Sequence, residues 1–391
     1  MSLIYHEVEP ENYREKYAQN NLIDFVLNYP QRKLINSSVR ISADVRIVSA
    51  LNPASVVVKT MNAYIDPQVG AHTFFDTITT SLMKFGQIEN IVNYPRYVKV
   101  KAIAQLSPLD TFAADKVAAL QCPNQTIAGQ VIKGVAVRPD SLNEGATQNF
   151  SIKPDICLNS MASQGDNRLS FRKSGGIRLT VRLAQNADVF YGPDATGLTP
   201  DAIDTATPPG VRVGQVSYSL SNVRLHFETN PDDGKDSPIV IPNIVNIKTV
   251  VSSTYANLSL SVPATCRGFV GTFIKQSEEK NPTINSLACQ NIPSLAKLSY
   301  LYNNATTNAQ ITYQITDIQE VLNRFTEALS SSYHNMIALQ NQWHETAFGI
   351  GLQFDRLMDL SRDRFNIQLT SAISSTEPYS VNLFFLGVMT I

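Results

Sequence analysis

From about Leu34 the chain is a succession of short runs in which apolar and polar residues alternate, and the succession is written twice. Val39-Arg-Ile-Ser-Ala-Asp-Val-Arg-Ile47 alternates without a break. That is the period of a strand with one face on a core and the other in water. The first pass closes with Val216 to Glu228, and a polar break, Asn230-Pro-Asp-Asp-Gly-Lys-Asp-Ser-Pro238, follows it. The second pass opens at Ile239, contains the strict alternation Ala256-Asn-Leu-Ser-Leu-Ser-Val262, and closes on Pro378 to Ile391.

Within the first pass, strands are expected at Ile88 to Leu106, Gln148 to Cys157, Leu169 to Arg172 and Ile177 to Leu183. Pro95 inside the first of these points to an edge or a bulge, and Ser174-Gly-Gly176 is a turn between the last two. Ala71 to Met83 fits a strand or a helix equally. Ser107 to Gln121, capped by Ser107 or Asp110 and rich in alanine, predicts a short helix. In Val216 to Glu228 the apolar parity slips between Leu220 and Val223, and one extra residue near Ser221-Asn222 restores a single apolar face, as a β-bulge does. Residues 192–210 form a long loop.

In the second pass, Gly268 to Ile274, Phe348 to Phe354, Phe365 to Leu369 and Tyr379 to Thr390 read as strands, and residues 275–310 as loop. Thr316 with Gln319 makes a capping box for a helix with Ile318, Leu322, Phe325 and Leu329 on its buried stripe, running to about Trp343. Before both passes, residues 10–29 read as a helix, with Pro10 in its first turn, Pro30 at its end, and Tyr13, Tyr17, Leu22, Phe25 and Val26 on one face. Such a helix either packs under its own domain or is an arm whose Tyr13, Tyr17 and Phe25 dock on a neighbour. Alternation with intervening loops excludes a parallel βαβ sheet, whose strands read as continuous apolar runs. The expected fold is all-β: two tandem eight-stranded antiparallel jelly rolls with short helical insertions and an N-terminal helix. The expected division is an N-terminal arm over 1–33, a first roll over 34–230 and a second over 231–391.

The length of 391 residues suits this, and a hydrophobic share of 43% lets each half bury a core. Charged residues make up only 17%, below the usual quarter, and Asn, Ser, Thr and Gln fill the gap. Such a surface is readily desolvated against copies of itself. Net charge is −1 and no polybasic run occurs, which argues against specific nucleic-acid binding. Tyr94, Tyr97, Lys99 and Lys101 mix aromatics with cations as single-strand binders do, but one such strand on a neutral chain is an ordinary sheet face. Cys122, Cys157, Cys266 and Cys289 are far apart, so they fit buried thiols in a reducing compartment better than a metal site. The N-terminus lacks the apolar segment of a signal peptide, and no run is long and apolar enough for a membrane helix. The sequons starting at Asn36, Asn124, Asn149, Asn257 and Asn304 then follow from composition.

Catalytic motifs are missing from the pattern. His344-Glu345 lacks the second histidine of a helical zinc site. Gly349-Ile-Gly351 lacks a third glycine and opens no helix, so it is no phosphate cradle. Asp232-Asp233 falls in the polar break, where solvent screens it, and its spacing is wrong for a calcium loop. His6, His72, His226 and His334 are scattered. No catalytic residue, cofactor or metal ligand is expected.

Three segments, Ile88 to Tyr97, Tyr218 to Leu225 and Pro378 to Phe385, together with length, midpoint break and late helix, resemble the double jelly-roll major capsid proteins of the adenovirus and tectivirus lineage, in the style of virophages and polinton-like viruses. The resemblance implies a structural protein of the virion, with no enzymatic activity. It implies a homotrimer presenting six rolls in a hexagonal outline, tiling an icosahedral shell around double-stranded DNA. Partners would be other trimers, minor capsid or penton proteins and, in some members, an internal membrane. The competing readings are a penton or spike-type component with one roll, a two-domain carbohydrate-binding protein, and a β-sandwich glycosidase, which needs two convergent carboxylates.

Overall fold

Alternating runs become strands because each buries one row of side chains and leaves the other in water. The computed structural model describes residues 3–49, 60–61, 64–105, 114–121, 126–127, 130–131, 135–136, 147–161, 168–191, 210–211, 216–234, 238–262, 264–279, 281, 284–304, 310–329 and 348–391. The loop expected over 192–210 lies almost wholly outside the described residues, as do the helical extension to Trp343, His334, His344-Glu345, Cys122 and the Asn124 sequon. The chain divides into two compact units: Met1–Val98 with Ser107–Ile239 and Lys280–Leu287, and Lys99–Leu106 with Val240–Glu279 and Ala288–Ile391.

Eight longer strands build the first unit: β1 (Ile4–Val8), β2 (Leu22–Leu27), β3 (Arg40–Ser49), β4 (Phe75–Leu82), β5 (Gly86–Val92), β6 (Thr147–Ile152), β7 (Ile177–Leu183) and β8 (Val216–Pro231). In one sheet they lie in the order β1-β8-β3-β6, in the other β2-β7-β4-β5. First pairs with last, second with seventh, third with sixth and fourth with fifth, all antiparallel. This is one long hairpin ribbon rolled up until β8 meets β3 and β7 meets β4. It is the wiring of a jelly roll. Phe74, Phe75, Phe150 and Tyr218 fill its core, with Phe74 and Tyr218 ring centres 4.9 Å apart. The Tyr218 hydroxyl donates to the Ala184 carbonyl at 2.7 Å, so its buried polar atom is satisfied. The parity slip in β8 is a bulge: the register shifts between Ser221 and Arg224, and Asn222 takes φ 51°. Tyr218, Leu220, Val223, Leu225 and Phe227 are therefore all buried.

The second unit repeats the wiring strand for strand, with β9 (Val240–Val251), β10 (Tyr255–Leu260), β11 (Thr265–Lys275), β12 (Lys297–Asn303), β13 (Gln310–Ile315), β14 (Gly349–Asp359), β15 (Arg364–Thr370) and β16 (Tyr379–Thr390). Again first pairs with last, second with seventh, third with sixth and fourth with fifth. β16 also pairs β11, and β15 pairs β12. Phe269 sits at the centre of this core, 5.3 Å from the rings of both Tyr300 and Phe365. The chain therefore carries two jelly rolls, where the penton-type alternative expects one.

Among the described residues two helices are of ordinary length, α1 (Tyr94–Gln105) and α2 (Ile318–Ala328). α2 is amphipathic and lays Val321, Leu322 and Phe325 on its own unit. Its N-cap is Asp317, which accepts from the Gln319 amide at 2.9 Å, one residue beyond the expected Thr316. The glycines of Gly349-Ile-Gly351 serve this packing. A Cβ on Gly349 would enter the Phe325 ring, and one on Gly351 would lie 3.0 Å from the Ala328 methyl.

Several expectations are overturned. Residues 10–29 are not helical: the sheet claims Ile23, Phe25 and Leu27 as a period-two row, all fully buried. A turn at Asn20, φ 63°, separates them from the short strand Tyr17–Ala18. The N-terminal arm of 1–33 is thus absent, because its described residues supply β1 and β2. Residues 94–105 are helix α1, not strand. Asn93 at φ 53° ends β5, and Pro95 falls in the first helical turn, where its missing N–H costs nothing. Enclosed on nearly every side from Tyr94 to Ile103, α1 lacks the polar stripe that would have revealed it. Leu169 to Arg172 enters a single helical turn, Phe171–Ser174, capped by Ser170. The ambiguous Ala71 to Met83 resolves into a 3-10 turn, Gly70–Phe74, followed by β4. The described part of Ser107 to Gln121 holds the short helix Ala114–Ala118, and the loop of 275–310 contains β12.

Because Gly349 lets α2 touch the sheet, Gly349→Ala is expected to destabilise the chain by about 1–3 kcal/mol, the usual cost of overpacking. A urea midpoint equal to wild type would refute that.

Candidate functional site

Among the described residues no group of three or more His, Cys, Asp or Glu side chains could hold a metal ion. Cys157, Cys266 and Cys289 are unbridged and buried. Burial pushes the Cys266 thiol up to about 12, and burial beside the Glu89 carboxylate raises Cys157 well above its ordinary value. Neither thiol is a nucleophile at neutral pH. No helix among the described residues is long and apolar enough to cross a membrane.

One constellation has the composition of a hydrolytic triad. Ser42 Oγ lies 2.6 Å from His226 Nε2, and Glu7 Oε2 lies 3.9 Å from Nδ1. Tyr5, not Glu7, takes the close Nδ1 contact at 2.5 Å. Ser42 stands on the outer face of β3, a strand paired on both sides, and the contact that would orient the ring at Nδ1 is made by a tyrosine hydroxyl and not by the carboxylate. The cluster ties strands together and does not assemble an acyl-transfer site.

The three candidate interface residues fare differently. Tyr17 is 1% exposed, and its hydroxyl accepts from the Arg14 amide and donates to the Asn12 carbonyl. Phe25 is fully buried opposite Leu179. Both belong to the first roll's own core and have no surface for a neighbour. Only Tyr13, 59% exposed, remains on the outside. The aromatic and cationic run at 94–101 is likewise no surface, since Tyr94, Tyr97 and Lys99 are buried. The Tyr94 hydroxyl instead sits 2.7 Å from His72 Nδ1 and accepts from the Asp155 amide at 2.9 Å.

The polar break holds a cluster that sequence reasoning missed. Asp232 is not solvent-screened: its side chain is 5% exposed and that of Lys33 is 7% exposed. Ser170 Oγ donates to Asp232 at 2.5 Å, the Gly234 amide donates to it at 3.0 Å, and Arg172 Nε lies 3.6 Å away. Lys33 reaches Asp233 directly and Asp232 at 3.9 Å. Burial alone pushes the Asp232 carboxyl up, but the Ser170 and Gly234 donors and the two cations outweigh it and hold it below its ordinary value. The strand Arg32–Leu34 pairs with Thr229–Pro231, so the cluster clamps the exit of β8 to the entrance of the roll. A Lys beside the expected first strand and an Asp-Asp-Gly turn after the last were visible in the sequence; their meeting needed the topology.

The fold and these surfaces define a double jelly-roll protein with no assembled catalytic centre among the described residues. Solved structures of the same kind are similar to it over its whole length. A chain of the PBCV-1 virus capsid aligns with TM-score 0.61 and 10% identity over 100% of this chain and 95% of that one. The Faustovirus major capsid protein aligns with TM-score 0.58 and 9% identity, covering 100% and 90%. A chain of the Sputnik virophage aligns with TM-score 0.57 and 11% identity, covering 100% and 85%. At such identities the likeness is one of fold. No protein-family model and no curated protein matches the chain.

Asp232→Asn keeps the shape of the clamp and removes its charge. At neutral pH it is expected to cost about 1–3 kcal/mol, because Lys33 stays buried with half its compensation. A carboxyl held below its ordinary value contributes fully above about pH 4, and that contribution is lost as pH falls through its folded value. The stability gap between variant and wild type, read from urea midpoints, should narrow as pH falls below about 4. A gap unchanged by pH would show that the charge does not matter.

Proposed function

We propose that this chain is a major capsid protein: a structural, non-enzymatic component of a virion that assembles as a homotrimer, with trimers tiling an icosahedral shell. The observation that carries the reading is the whole-length match of two tandem rolls to capsid chains, 100% of this chain on 95% of the PBCV-1 capsid chain. Physical arguments support it. Rolled ribbons leave few open edges, so copies can crowd together without runaway strand addition. Two rolls per subunit give a closed threefold ring six similar building blocks, the number that fills a hexagonal lattice. The charged share of 17% keeps the desolvation cost of self-contact low. The partners on this reading are neighbouring trimers and minor capsid or penton proteins, and the division into one roll per half is part of the proposal.

The test is light scattering and negative-stain microscopy of the purified protein. Particles of three times the 43.1 kDa chain mass with a hexagonal outline are the expected outcome. A monodisperse monomer at about micromolar concentration would remove the reading, since shell subunits must self-associate.

A further inference from the structure

β1 stands at the end of its sheet and is paired along Ile4–Val8 with β8, from Thr229 to Leu225. None of its five side chains is fully buried. Its attachment therefore rests on the backbone ladder and on side-chain contacts across the two faces, and a histidine dominates each face. On the outer face, His226 of β8 lies directly between Glu7 of β1 and Arg40 of β3 in the register. Its Nδ1 is 2.5 Å from the Tyr5 hydroxyl of β1 and its Nε2 is 2.6 Å from Ser42 Oγ of β3, so one ring ties three strands together. On the other face, His6 of β1 stacks on Phe227 at 4.8 Å and packs at a tilt against Tyr29 at 4.4 Å. Its Nε2 is 2.8 Å from Thr229 Oγ1, the same oxygen to which Arg32 Nε donates at 2.6 Å.

We propose that His6 and His226 form an acid-sensitive latch on the N-terminal strand: with both rings neutral β1 stays in the sheet, and their protonation frees it.

The surroundings disfavour two imidazolium ions. Around His226 stand Glu7 on β1, 3.9 Å from Nδ1, Arg224 on its own strand and Arg40 on β3. Glu7 is shared, because Arg224 Nε also lies 3.6 Å from it, while Glu9 pairs with Arg224 and Glu228 stands two residues beyond His226 on the same face of β8. A proton on His6 would place a second cation on the Thr229 oxygen that Arg32 already occupies. Burial first, then Arg224 and Arg40 against the opposing pull of Glu7, holds His226 below its ordinary value; burial and then Arg32 does the same for His6. Detachment of β1 exposes both rings, so the open state binds the extra protons. The attachment is then at full strength above about pH 6.5 and weakens as pH falls from there to the folded values. The opening is local, since the remaining strands of the roll keep their own partners. The latch does not depend on the capsid reading.

Hydrogen exchange of the full chain tests it, with rates corrected for intrinsic chemistry and followed in the peptide carrying Ile4–Val8. Protection of β1 should fall about tenfold or more between about pH 7.5 and about pH 5.5, with its onset near the ordinary imidazole value of about 6.5. The double variant His6→Gln/His226→Gln should keep its protection across that range. Constant protection in the wild type overturns the proposal, as does an equal loss in the folded variant. A wild-type loss that begins only below about pH 4.5 assigns the change to carboxylates and overturns it too. The wild-type onset decides the matter even if the variant does not fold.

Discussion

The nesting of strand pairs is the constraint on which everything else in each roll depends. A ribbon whose first strand pairs with its last can close only if the last strand is long enough to serve two neighbours. β8 does this over Val216–Pro231, pairing β1 on one side and β3 on the other, with the short strands Tyr17–Ala18 and Arg32–Leu34 added where those leave room. The Asn222 bulge keeps one apolar face along its whole length. β16 plays the same part in the second roll, and its residues Tyr379–Gly387 are buried without interruption. Losing a closing strand would open two ladders at once, which is why the buried ion cluster at Asp232 sits where β8 ends.

Much of this was legible. Alternation locates β3, β7, β10 and the bulge in β8, because one face of each meets a core and the other meets water. The apolar run Leu383-Phe-Phe-Leu386 lies in a strand whose successive residues are all buried. The misreadings share a cause. Residues 10–29 place aromatics at a spacing that a helix and a bent strand pair both satisfy, and the deciding residue, Asn20 in its left-handed turn, is a single polar position. α1 was hidden by the opposite problem, since Val98-Lys-Val-Lys101 alternates like a strand while burial of cations and apolar residues alike erases any helical stripe.

The candidate site was less legible than the fold, and for a physical reason. Tyr13, Tyr17 and Phe25 were singled out as a shared face, but a face is a property of the element that carries them. Once that element is a turn followed by a strand, Phe25 points inward and Tyr17 caps a local loop. The clusters that the structure does assemble, Lys33 with Asp232 and Tyr5 with His226 and Ser42, join residues about two hundred positions apart in the chain. No local pattern announces such a meeting; it follows from pairing the first strand with the last.

The two rolls share a wiring diagram but not a surface chemistry. On the outer face of the first roll's β2-β7-β4 layer, Arg178 pairs with Asp24 at 3.1 Å and Arg182 pairs with Asp76. The matching layer of the second roll aligns Asn257, Gln368, Ser299 and Gln314 in one row and Ser259, Asn366, Leu301 and Thr312 in the next. Exposed ion pairs favour water, which hydrates each charge even when the pair is made. A row of amides and hydroxyls loses less on being covered, because a neighbouring amide can replace water bond for bond. Ser299 Oγ and Asn366 Oδ1 are already buried without a hydrogen-bond partner, so that face gives up water with part of the cost already met by the fold. Two rolls of one wiring in a single polypeptide need not share a sequence, so their matching faces can differ in how readily they give up water.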